Sequence, residues 1–149
     1  MNLIRRLQSL GLLGALALLA ASPAPALEAP TASPDERVVY HVNDMATARE
    51  ALVNVGNHLA ASPKAKITLL ANGRGIFMMV KGEKDRVGEY TATIAELQAK
   101  GVKFDACRNS MTQRNLEPSA IAPGVTIVPA GVAELARLQG QEHYAYIKP

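Results

Sequence analysis

From Arg37 onward, short runs of β-branched and aliphatic residues alternate with amphipathic stretches, and no other feature constrains the fold as much. Arg37-Val38-Val39-Tyr40-His41-Val42 reads as a strand, and Asn43 or Asp44 can cap the helix behind it. In that helix Met45, Ala48, Leu52, Val55 and Leu59 recur at spacings of three and four, giving one apolar stripe that Ser62-Pro63 ends. Ile67-Thr68-Leu69-Leu70-Ala71 is a second strand, closed by the turn formers Asn72-Gly73. A second helix carries Val87, Tyr90, Ile94 and Leu97 and stops at Lys100-Gly101, a basic last turn followed by a C-cap glycine. Val102-Lys103-Phe104-Asp105-Ala106 is the third strand and delivers Cys107 at its carboxyl end. A polar stretch from Arg108 to Pro123 then reads as a short helix and a loop. Val125-Thr126-Ile127-Val128 is a fourth strand, a short helix runs from about Val132 to Gln139, and Tyr144-Ala145-Tyr146-Ile147 closes the domain.

Several of these runs are apolar on both faces, as strands are when helices cover a parallel sheet. The βαβα order implies right-handed crossovers and a three-layer α/β domain with a mostly parallel five-stranded sheet. In such sheets, reacting groups gather at the carboxyl ends of the strands, near the switch in strand order. Three segments are expected on that edge: Asn43-Asp44, Asn72-Gly73-Arg74-Gly75 and Cys107-Arg108-Asn109.

The residues ahead of Arg37 belong to a different process. Arg5 and Arg6 precede an apolar run from Leu10 to Ala21, too short to span a bilayer comfortably, and Ala24-Pro25-Ala26 offers a small-x-small cleavage pattern. Residues 1–26 are therefore read as a signal peptide, with export to the periplasm of a Gram-negative host and membrane contact only through that segment. Residues 27–36 are read as a flexible leader and 37–149 as the domain. Removing Arg5 and Arg6 leaves 14 basic against 13 acidic residues, so the clustered cationic excess of a nucleic-acid binder is missing. One cysteine excludes an intrachain disulfide and a Cys-based zinc cluster, and no metal site is expected. Six aromatic residues, none of them Trp, argue against a stacking platform for bases or flavins, and no cofactor is expected.

Cys107 is the chemical candidate. A thiol is nucleophilic as the thiolate, and its pKa falls beside a cation or a helix N-terminus. Arg108 adjoins it, and Asn109-Ser110 can cap a short helix whose amides point back at the sulfur. The bland alternative is a small buried hydrophobe at a strand end. His41, His58 and His143 show no arrangement for a Cys-His pair, and His41 reads as a satisfied histidine of a central strand. The glycine-rich turn could hold an anion on the amides of Asn72 and Gly73, with Asn43 nearby and Arg74 as the clamp, or be a plain tight turn. Phe77-Met78-Met79-Val80 is either core on a short helix or a patch covered by a partner subunit. Three helices already serve the sheet, so the interface is the expectation.

The chain resembles the DsrE/DsrF-like proteins, in the small exported subgroup of that sulfur-relay superfamily, from about Arg37 to Pro149. The resemblance rests on several short motifs in a fixed order. They are the opening strand with Asn43-Asp44, the turn Leu69-Leu70-Ala71-Asn72-Gly73, the segment from Val102 to Met111 around Cys107, and the closing runs Val128–Leu135 and Tyr144–Pro149. It implies a flavodoxin-like fold, homo-oligomers, and a cysteine matching Cys107 that carries sulfane sulfur as a persulfide between a donor and an acceptor thiol or protein. Arg74, Arg108 and Asn109 are then the expected stabilisers of the charged sulfur. The other function class is a non-catalytic oligomeric binding module that uses the strand-end cleft.

Overall fold

The computed structural model describes residues 35–149, so the expected signal peptide and most of the leader lie outside the described residues. Five strands form one wholly parallel sheet: β1 (Arg37–Val42), β2 (Lys66–Ala71), β3 (Lys103–Cys107), β4 (Thr126–Val128) and β5 (Ala145–Ile147). Their spatial order is β4-β3-β2-β1-β5. The helices are α1 (Ala48–Ala61), α2 (Tyr90–Ala99), α3 (Arg108–Thr112) and α4 (Gly131–Gly140).

That order decides which face each helix covers. The chain steps from β1 to β4 in one direction, and right-handed crossovers put α1, α2 and α3 on one face. It then returns past the whole sheet to β5, which puts α4 on the other face. The side chains alternate accordingly. Tyr40, Val42, Leu69, Ala71, Phe104 and Ala106 join the larger core with Leu52, Val55, Ile94, Leu97 and Met111. Val39 and Leu70 point the other way, to Leu135, Leu138 and Tyr144. The domain has three layers, with the larger core on the α1/α2 side.

Local chemistry accounts for where the elements begin. Asp44 accepts the Ala46 N–H at 2.9 Å and starts a 3-10 turn over Met45–Thr47 that leads into α1. The second helix starts later than its apolar stripe implies. Val87 is exposed, because Asp85 accepts the N–H groups of Val87 and Gly88 and holds this stretch as a turn. Arg49 of α1 grips Asp85 through two nitrogens, donates to the Gly88 carbonyl, and lies 4.5 Å above the Tyr90 ring. The guanidinium holds the Asp85 carboxyl well below the usual carboxylate range.

The expectation of an interface at Phe77-Met78-Met79-Val80 is corrected. Residues Gly73–Met79 form a 3-10 helix, and Met78 and Met79 are fully buried in the larger core of this same chain. The short α3 leaves an opening beside β3 that this helix fills, which is why a connection is so apolar.

Candidate functional site

Between β3 and β4 the outgoing connections diverge: β3 leads to α3 on one face and β4 leads to α4 on the other. A crevice at such a switch point lies between two helix N-termini. Cys107 is the last residue of β3, paired in register with Val128 of β4, so the strand order carries the one thiol into that crevice.

From the α4 side, the Gly131 N–H donates to Cys107 Sγ at 3.2 Å. Glycine eases this approach. A Cβ on residue 131 would stand 3.1 Å from the Cys107 Cβ, 3.2 Å from the Asn72 Cβ and 3.2 Å from Leu70 Cδ2, so a larger residue requires these side chains or α4 to give by a few tenths of an ångström. From the α3 side, Cys107 is the N-cap residue. Its sulfur closes no capping hydrogen bond, but the Ser110 hydroxyl and the Ser110 and Asn109 amides face it and favour its anion. Burial pushes the thiol pKa up; these donors together with Gly131 outweigh it, and the thiol lies below its ordinary value. The Ser110 hydroxyl oxygen also accepts the Gly73 N–H at 2.9 Å, which fixes the rotor beside the sulfur.

The expected site residues divide. Cys107 is at the strand end, and Asn109 contributes through its backbone amide while its side chain is exposed. The Arg108 side chain is exposed, and the groups that favour the Cys107 anion are the Ser110 hydroxyl and the amides of Gly131, Ser110 and Asn109. As the first residue of α3, Arg108 turns outward, toward a surface cleft shared with Met111, Thr112 and Leu116. The anion cradle at the glycine turn loses its amides. The Asn72 N–H goes to the Val42 carbonyl and the Gly73 N–H to Ser110. Gly73, at φ +51°, and Gly75 instead let the turn press against the end of β1, where added Cβ atoms would meet the Asn43 and Val42 carbonyl oxygens at 2.7 and 2.4 Å. Asn43 is exposed, and Arg74 is exposed with its Nε 4.0 Å from Asp44.

His41 is half-buried and hydrogen-bonded through both ring nitrogens, to Tyr146 at 2.7 Å and to Asn72 at 3.0 Å. His58 is held between Tyr40 and Glu36. Neither forms a pair with Cys107. Among the described residues, no cluster of three or more His, Cys, Asp or Glu side chains is placed to hold a metal, and no helix is long and apolar enough to cross a membrane. The sequence names Ser110 only as part of a helix cap, not for its hydroxyl beside the sulfur, and does not single out Gly131. Ser110 was marked by its spacing, since the third residue after an N-cap cysteine turns its hydroxyl back to the cap. Gly131 had no local signal, because its role depends on α4 returning across the sheet.

The model of the DsrE/DsrF-like family matches residues 26–149. The chain belongs to that family. It is similar in structure to a protein of unknown function, MTH1491, from Methanobacterium thermoautotrophicum, with a TM-score of 0.70 and 28% identity over 76% of this chain and 99% of that one. The ychN protein from E. coli shares the fold at a TM-score of 0.62 and 14% identity, over 76% of this chain and 98% of its own. So does a conserved protein of unknown function, BT1422, from Bacteroides thetaiotaomicron, at 0.61 and 13%, over 77% and 96%. No curated protein matches the chain significantly.

Proposed function

We propose that this protein is an exported sulfur carrier that holds sulfane sulfur as a persulfide on Cys107. Membership of the DsrE/DsrF-like family supports a role of the sulfur-relay type, with thiols or proteins as partners. The observation that carries the reading is the pair of helix starts converging on one sulfur, with the Gly131 N–H donating to it at 3.2 Å. The thiolate attacks the outer sulfur of a donor persulfide, the donor's S–S bond breaks, and a new S–S bond forms on Cys107. The electron pair leaves with the donor thiolate, and an acceptor thiolate reverses the step. Amides and a hydroxyl that favour one sulfur anion also favour the anionic persulfide that replaces it.

Export rests on residues 1–26, and the mature chain is proposed to begin at Leu27. Self-association is retained from the family's habit, on a surface other than the buried Met78 and Met79. The test is intact mass after native incubation with a sulfane donor. The wild type should gain one sulfur atom and return it to an added thiol, and Cys107→Ser should gain none.

The burial of Cys107, 5% exposed in the single chain, favours the second reading of a non-catalytic binding module with a structural thiol. Failure of the folded wild type to take up sulfur would select that reading.

A further inference from the structure

Along the carboxyl edge of the sheet, on the face that α4 covers, four polar side chains follow one another across the strands. They are Cys107 at the end of β3, Asn72 just beyond β2, His41 on β1 and Tyr146 on β5. The last three form a connected chain. The His41 Nε2–H donates to Asn72 Oδ1 at 3.0 Å, and Tyr146 donates its hydroxyl to Nδ1 at 2.7 Å. Each ring nitrogen thus has one partner, and the tautomer is fixed by them.

Anchoring Oδ1 leaves the Asn72 NH₂ group with two donors and no acceptor among the described residues, and it is not sealed from solvent. Asn72 is the cross-strand neighbour of Cys107, because Ala71 and Ala106 are paired in register one step earlier. The Cβ atoms of both residues lie within 3.2 Å of the same point above Gly131. A sulfur added to Cys107 would stand one bond, about 2.05 Å, beyond Sγ, within reach of an asparagine on the adjacent strand.

We infer that Asn72 donates a hydrogen bond to the outer sulfur as it transfers, and that His41 and Tyr146 are positioning residues that aim it. The inference rests on the carrier reading above. In the loading step the Cys107 thiolate bonds to the outer sulfur of an alkyl persulfide while the donor's S–S bond breaks and its alkyl thiolate leaves. The sulfane sulfur keeps its oxidation level, so no further oxidant is required. The proton carried by the outer sulfur passes to the departing alkyl thiolate, which leaves as the thiol, and the negative charge left on the outer sulfur is the charge that the Asn72 N–H meets.

The experiment is single-turnover loading from cysteine persulfide, followed by mass, alongside the pH dependence of Cys107 alkylation. Asn72→Ala and His41→Ala should each slow loading about tenfold, the loss expected for one hydrogen bond to a charged group. The double variant should be no slower than either single one. His41→Gln, whose side-chain amide can replace Nε2–H, should recover most of the rate. The alkylation pKa of Cys107 should stay at its wild-type value throughout. Variants that load as fast as a loading wild type would overturn the inference alone, as would a rate loss matched by a shift in the alkylation pKa. A wild type that takes up no sulfur overturns the carrier reading first and this inference with it.

Discussion

The Gly131 amide reaches the Cys107 sulfur at 3.2 Å from a helix that begins after a different strand and lies on the opposite face of the sheet from α3. The contact is a product of topology. It exists because β3 and β4 send their connections to opposite faces and because residue 131 has no side chain to hold α4 away.

Gly131→Ala should therefore act on the thiol more than on the fold. Moving the α4 amide off the sulfur should raise the Cys107 pKa by about one unit, the equivalent of one hydrogen bond to an anion. Arg108→Ala should leave that pKa near wild type, since its side chain is exposed to solvent while the anion is favoured by a hydroxyl and amides. Alkylation rates across pH measure both.

Met78 is a structural residue, and truncating it tests that assignment. Met78→Ala should cost about 2–5 kcal/mol of stability in denaturant unfolding, the usual range for a fully buried apolar side chain. A soluble variant of unchanged stability and altered oligomeric state would restore the interface instead.

Much of the fold was legible because its signals are local. The alternating runs located every strand to within a residue or so, and Asp44 and Lys100-Gly101 marked where helical structure starts and stops. Errors arose where tertiary context prevailed over pattern. Val87 fits the stripe of α2, but Asp85 captures the neighbouring amides first. Phe77–Val80 looks unclaimed by the sheet only while the space beside α3 is unknown. In the site, Cys107 is legible as a strand end, while most of the donors that favour its anion are not. Sequence adjacency pointed to Arg108, whereas the donors are amides and a hydroxyl brought in by helix geometry and a distant crossover.

Asp105 gives the fold a dependence on pH. It sits two residues before Cys107 on the same face, in a cleft with Thr68, Lys103, Glu134 and Arg137. Burial, and then the Glu134 charge, push its pKa up to about 6, while Lys103 and Arg137 pull the other way. The unfolded chain ionises this carboxyl near pH 4, so the folded state binds the extra proton between about pH 4 and 6. Stability from this group should fall as pH rises through that window. Asp105→Asn should remove the fall and stabilise the protein at pH 7 by on the order of 2 kcal/mol, allowing for water in the cleft. Unfolding free energies at pH 4 and pH 7 for both proteins are the check.

The central claim is that the switch-point crevice holds Cys107 as a reactive anion, and its most direct test is the pH-rate profile of alkylation of that single thiol in the folded protein. The account predicts complete modification at Cys107 with an apparent pKa below the ~8.5 of a free cysteine. A thiol that resists alkylation until the protein unfolds, or one that titrates at or above the free value, would contradict it.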